Sequence, residues 1–138
     1  LREGILDGSI DCLVTDHAPH APHEKDCEWE IAFFGTIGLE TSLPLMLTNL
    51  VRTGRMGWGR LVEVMAVHPR KILDPVRIEA GSRADLTLID PGREVKVSED
   101  YFESRSKNCA FLGQTLMGAA TDVFVDGRRT LAAGSVVG

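Results

Sequence analysis

No stretch of this sequence stays apolar for long enough to cross a bilayer. The most apolar run, Leu43 to Val51, is broken by Thr48 and Asn49 and falls well short of the ~20 residues a membrane helix needs. Basic runs are equally scarce. The longest are the dipeptides Arg70-Lys71 and Arg128-Arg129, and 15 Lys+Arg against 20 Asp+Glu leave a formal charge of −5. Such a chain lacks the electrostatic footprint that DNA or RNA phosphates demand. These two shortages argue against a membrane span or anchor and against a nucleic-acid partner.

Cysteine is also in short supply. Cys12, Cys27 and Cys109 are widely spaced and form no C-x-x-C, so neither a disulfide framework nor a cysteine zinc site is indicated. A reducing cytoplasm is the expected compartment. The first methionine is Met46 and no signal-peptide pattern opens the chain, so its start is expected to be a cut through a longer protein. Gly 14 and Pro 6 are ordinary usage, which excludes low-complexity disorder. What remains is 138 residues, 43% of them apolar, enough for one ordinary domain or two small ones with a real core.

Leu1 to Leu6 fits the last turns of a helix closed by Asp7-Gly8. Asp11 to Thr15 is a short apolar run between turn residues, which predicts a strand buried on both faces and ending at Asp16. Residues 16–36 read as a long loop, because Pro19 and Pro22 forbid a regular helix. Leu39, Leu43, Met46, Leu47, Leu50 and Val51 then recur at helical spacing, and the helix is expected to end near Thr53-Gly54. Pro44 sits either in the first turn of a helix begun at Ser42 or at a bend. Further helices are expected over Gly59–Val67, with Leu61, Val62, Met65 and Ala66 inward, and after Pro69, carrying Ile72 and Leu73. Past residue 75 the texture turns to β. Strands are expected at Ala84–Asp90 and Glu94–Val97, and 122–125 should pair with 128–132 across the hairpin dipeptide Asp126-Gly127. The expected division is therefore 1–75 and 76–138, with the boundary near Asp74-Pro75.

Chemistry concentrates in Thr15-Asp16-His17-Ala18-Pro19-His20. A carboxylate at the end of a buried parallel strand is where barrel enzymes place catalytic groups; the same residue could simply cap the following turn. His17, His20 and His23 recur every third residue, yet without a helix that spacing does not gather the rings, and no H-x-H or H-E-x-x-H occurs. A generic histidine-rich surface loop is the reading these three residues favour. Ala32 to Gly38 could present backbone N–H groups to an anion or could be a hydrophobic loop tucked over a rim. Glu99 to Lys107 reads as a solvated charged stretch, and Cys12 and His68 as packing residues.

The segment DCLVTDHAPH (11–20), with Glu24-Lys25 and FGTIGLETSLPLMLT (34–48) after it, resembles the C-terminal third of a class I dihydroorotase of the amidohydrolase superfamily. HPRKIL (68–73), GSRADLTLIDP (81–91), SKNCAFLG (106–113) and VFVDGR (123–128) follow the same family order. The resemblance implies an α/β fold: the last strand and flanking helices of an incomplete (β/α)8 barrel in 1–75, and a small mostly-β domain in 76–138. It implies a hydrolase that interconverts dihydroorotate and N-carbamoyl-L-aspartate in pyrimidine biosynthesis. Asp16 matches a zinc ligand and proton shuttle, His20 a substrate-binding histidine, and Phe34 and Gly35 a loop whose backbone groups hold the substrate. Phe33 stands where that family usually has proline, and Cys109-Ala110 where it usually has Thr-Pro.

The same resemblance implies that a binuclear zinc centre would draw its remaining ligands from a missing N-terminal barrel part, leaving this chain inactive by itself. A homo-oligomer is expected. Two other readings stay open: a non-catalytic scaffold for aspartate transcarbamoylase, and another cyclic amidohydrolase such as a hydantoinase or allantoinase. His20 favours dihydroorotate, whose carboxylate the other rings lack.

Overall fold

The Asp126-Gly127 dipeptide turns the chain as its sequence predicts. In the computed structural model, which describes residues 1–73, 75 and 77–137, Asp126 and Gly127 have φ 51° and 77°, both in the left-handed region that a two-residue type I′ hairpin requires. The turn joins β2 (Thr115–Val125) to β3 (Arg128–Ala132), and β1 (Leu86–Lys96) and β4 (Ser135–Val136) complete one antiparallel sheet in the order β1-β2-β3-β4. Asp85 secures the hairpin from outside. Its Oδ1 accepts the Asp126 N–H at 2.7 Å while Gly127 donates to the Ala84 carbonyl at 2.9 Å. That amide, with the guanidinium groups of Arg83 and Arg70, holds the Asp85 carboxyl below its usual value.

The two strands expected at 84–90 and 94–97 are a single strand with a bulge. Asp90 pairs with Ala119 and Glu94 with Met117, so three residues of β1 face Gly118 alone. Asp90 accepts the Gly92 N–H at 2.8 Å, the local side-chain bond that lets the strand kink without ending.

Helical segments precede the sheet: α1 (Arg2–Asp7), stopped by Gly8 at φ 93°; α2 (Pro22–Lys25); α3 (Leu39–Met46), continued by a π-helical turn over Leu47–Val51; α4 (Trp58–Val62), continued by a second π turn over Glu63–Val67; and α5 (His68–Ile72). Pro22 starts a short helix instead of forbidding one, because a proline at the first helical position removes only a donor that would be unpaired anyway. Pro44 lies inside α3, buried, so the helix does not begin at Ser42 with Pro44 in its first turn. A proline there leaves the carbonyl four residues earlier without its helical donor. That carbonyl is Glu40's, and the Tyr101 hydroxyl donates to it at 3.0 Å.

The sheet packs on α3 and its π turn. Ile37 and the partly buried Leu45 share a core with Val95, Val97, Phe102, Cys109, Leu116 and Ala119. A second cluster, Met46, Leu47, Leu50, Met56 and Leu61, is flanked by Ile5, Leu13 and Ile89. Between the two, Thr48 Oγ1 accepts the Met117 N–H at 2.7 Å. Arg60 ties the first segments to α4, donating to the carbonyls of Ile5 and Ile10 at 2.8 and 2.7 Å.

Several expectations are corrected. Residues 11–15 form no strand. Leu13 donates to the Val64 carbonyl at 2.9 Å, but no strand among the described residues lies beside the segment, and Val14 is 79% exposed. A strand of this kind is built only by neighbours on both sides. Val64, fully buried, faces the core along with Leu61, while Val62 and Ala66 are exposed; the π turn shifts the register of the inward face. Ile72 and Leu73 are also exposed. The expected boundary at Asp74-Pro75 falls where Asp74 and Val76 lie outside the described residues. Among those described, no helix is long and apolar enough to cross a membrane.

Two measurements check this packing. Gly118 has φ 88°, and a Cβ there would meet Leu47 Cδ1 at 2.3 Å, so Gly118→Ala should lower stability by about 1–3 kcal/mol in urea denaturation. The Arg129 guanidinium, then the Thr121 hydroxyl, hold the Asp122 carboxyl below its ordinary 3.8. A depressed folded value contributes stability above the unfolded value and loses it as pH falls through the folded one. Asp122→Asn should therefore flatten the acid limb of a denaturant-midpoint profile below pH 3.8 and leave its neutral region with the same slope.

Candidate functional site

Asp16 adopts φ 44°, a left-handed conformation that costs a non-glycine residue roughly 1–2 kcal/mol. It is exposed, and its carboxylate has no hydrogen bond or ion pair among the described residues. The next residue anchors the bend. His17 Nδ1 accepts the N–H groups of Gly38 and Leu39 at 3.2 and 3.3 Å, satisfying donors that the start of α3 leaves open. An accepting Nδ1 puts the proton of the neutral ring on Nε2.

His20 is held on every side. Its Nε2 lies 2.8 Å from the Phe34 carbonyl, its Nδ1 3.6 Å from Glu24 Oε2, and its ring stacks on Phe33 at 5.5 Å between centroids. Its backbone N–H is shared by Ser106 Oγ at 3.0 Å and Asn108 Oδ1 at 3.1 Å, and the Ser106 hydroxyl contacts the His20 carbonyl. Asn108 Nδ2 donates to the Ala18 carbonyl at 2.8 Å, while the Asn108 carbonyl accepts from Ile37 N–H and the Thr36 hydroxyl at 3.2 and 2.9 Å. One asparagine thus joins 18–20 to 36–37. Gly35, at φ 104°, lies so close to Ala18 that a Cβ would sit 2.5 Å from the Ala18 Cβ.

The loop 33–35 presents its polar groups one-sidedly. Lys25 Nζ donates to the carbonyls of Phe33 at 2.6 Å and Gly35 at 3.1 Å, and the Phe34 carbonyl meets His20. The N–H groups of Phe34 and Gly35 have no partner among the described residues, and both residues are exposed. Unpaired amide donors in a loop that meets a histidine suit an anion, and the free carboxylate of Asp16 can accept and release a proton.

Of the four residues singled out from sequence, His20, Phe34 and Gly35 come together. Asp16 lies four residues before His20 with no hydrogen bond to the three. His17, His20 and His23 do not converge: the first caps a helix and the second faces Phe34. His68 packs as expected, Nδ1 at 2.9 Å from the Asp11 carbonyl. The described residues hold no group of three or more His, Cys, Asp or Glu able to bind a metal. A zinc enzyme normally supplies three protein ligands, so this chain's residues do not by themselves fit a zinc centre. Lys25, Ser106 and Asn108 carry no chemical signal of their own in the sequence; nothing in a lysine or asparagine announces that it will bind distant backbone.

No protein-family model matches the chain. It is similar to the dihydroorotase of Chlorobaculum tepidum, 47% identical over 126 residues, covering 90% of this chain and 29% of that protein. It is similar as well to the dihydroorotase of Geobacter sp. strain M21, 45% identical over 136 residues, 97% of this chain and 32% of the other. The chain thus spans about 30% of the length of these relatives. Among solved structures, L-hydantoinase (dihydropyrimidinase) from Arthrobacter aurescens aligns over 99% of this chain and 32% of its own, with TM-score 0.89 and 38% identity. D-hydantoinase from Thermus sp. aligns with TM-score 0.89 at 26% identity, over 99% of this chain and 31% of its own.

The contact between Gly35 and Ala18 gives a direct check. Gly35→Ala should cost about 1–3 kcal/mol through both φ and the opposing methyl, and Ala18→Gly in the same chain should recover the part due to the methyl. A double-mutant cycle by denaturant unfolding measures that coupling.

Proposed function

We propose, for a chain that belongs to the dihydroorotase family, that it carries the substrate-binding and proton-transfer edge of a cyclic amidohydrolase. The enzyme of which it is part would reversibly hydrolyse the ring amide of dihydroorotate to N-carbamoyl-L-aspartate. Residues 1–75 would close a (β/α)8 barrel and 76–138 would form its small β domain. The observation that carries this reading is the unpartnered Phe34 N–H in the loop that meets His20. Dihydroorotate has a carboxylate to place there. His20 would exchange its neutral bond to the Phe34 carbonyl for a charge-assisted one to that carboxylate, which is the stronger of the two.

Asp16 is suited to carry the proton. As the attacking oxygen adds to the ring carbonyl carbon, its proton passes to the Asp16 carboxylate, and as the carbon–nitrogen bond breaks the same proton goes to the departing nitrogen. The carboxylate ends as it began. Zinc would supply Lewis acidity to such a reaction; Asp16 can contribute one ligand to it, and the others would have to come from the two-thirds of the relatives' length that this chain does not span.

The likeness to L-hydantoinase at 38% identity supports a second reading, a different cyclic amide as substrate. Comparing turnover of dihydroorotate and hydantoin by the complete enzyme separates the two, with dihydroorotate expected to be preferred. In that enzyme Asp16→Asn should lower kcat by ~10²–10⁴-fold, the usual worth of a positioned acid–base group. Full activity in that variant would remove Asp16 from the mechanism. The 138-residue chain purified alone with added zinc should show no dihydroorotate hydrolysis.

A further inference from the structure

The geometry points to Lys25 as a positioning residue that aims the backbone N–H groups of Phe34 and Thr36 at the substrate's carboxylate. Every peptide bond among the described residues is trans, so the N–H of each residue points opposite to the carbonyl before it in the same plane. Fixing the Phe33 carbonyl therefore fixes the direction of the Phe34 N–H, and fixing the Gly35 carbonyl fixes that of Thr36. Lys25 Nζ does both, at 2.6 and 3.1 Å. The Phe34 carbonyl at His20 turns the Gly35 N–H away from that histidine. None of the three N–H groups has a partner among the described residues.

Lys25 is thus not the counter-ion of the bound anion. Its ammonium lies on the side of the Phe33 and Gly35 carbonyls, opposite the Phe34 and Thr36 donors, and it remains bonded to Phe33 and Gly35 when His20 leaves Phe34 for substrate. Two further contacts keep the lysine in register: Phe33 donates to the Glu24 carbonyl at 3.1 Å, and Glu24 Oε2 accepts the Ala21 N–H at 2.7 Å at the start of α2. Gly35 makes the arrangement sterically possible, since no side chain could stand between the loop and Ala18.

This assignment rests on the dihydroorotase reading, and its test has one arm that does not. In the 138-residue chain, the carbonyl ¹³C resonances of Phe33 and Gly35 should move in Lys25→Met and return in Lys25→Arg, while amide protection in the β1–β2 ladder stays unchanged. Unmoved resonances would overturn the assignment whatever the substrate is. In the complete enzyme, Lys25→Met should raise KM for dihydroorotate about tenfold or more, the worth of charge-assisted hydrogen bonds, with kcat within about threefold, and Lys25→Arg should restore most of it. A fall in kcat at unchanged KM, or no change in either, would also overturn it. If the unsubstituted enzyme does not turn over dihydroorotate, the substrate reading fails and the carbonyl resonances alone decide the role of Lys25.

Discussion

The site loops have little apolar burial to hold them, and the side chain and carbonyl of Asn108 take over that task. The asparagine bonds to backbone at Ala18, His20 and Ile37 and to the Thr36 hydroxyl. These segments lie some seventy to ninety residues before it in sequence. In the 16–36 segment Trp29, Ile31 and Phe34 are exposed, so hydrophobic packing inside this chain contributes little to fixing that region. Directional bonds to backbone groups fix the path of the chain there, and each would cost more if left unmade than it contributes when formed. The candidate chemistry at 16–20 and 34–36 inherits its shape from this clamp and, through Cys109 and Ile37, from the core of the sheet.

What could be read from sequence was what neighbouring residues decide among themselves. Asp126-Gly127 folds into its hairpin because two adjacent residues tolerate positive φ, and Gly8 stops α1 for the same reason. The helical stripe also survives from Leu43 to Val51, while Leu39 is exposed. Its π turn is not visible in the spacing, since it depends on Thr48 reaching Met117 and on Leu47 seating against Gly118. The strand expected at 11–15 failed for a related reason: its apolar pattern is real, but a strand is a property of pairs, and Val14 faces solvent in this chain.

At the site the division is similar. Asp16 and His20 stand out because carboxylates and imidazoles near a strand end carry chemistry in many settings. Lys25 and Asn108 act on carbonyls and amides, groups that every residue has, so sequence gives no sign of their targets. Phe33 shows how local context changes such a loop: its N–H donates to Glu24, a bond that a proline at that position could not make.

Tyr101 is the chain's one tyrosine, and it fills the gap that Pro44 opens in α3. Burial, then the nearby Glu40 carboxylate, push its phenol above the ordinary value of 10.0. A folded value raised in this way favours the folded chain below pH 10.0 and loses that contribution as alkali ionises the hydroxyl. The ultraviolet absorbance of a single phenol consequently serves as an optical gauge of one helical joint, reading the state of the α3 backbone at Glu40 without any added label.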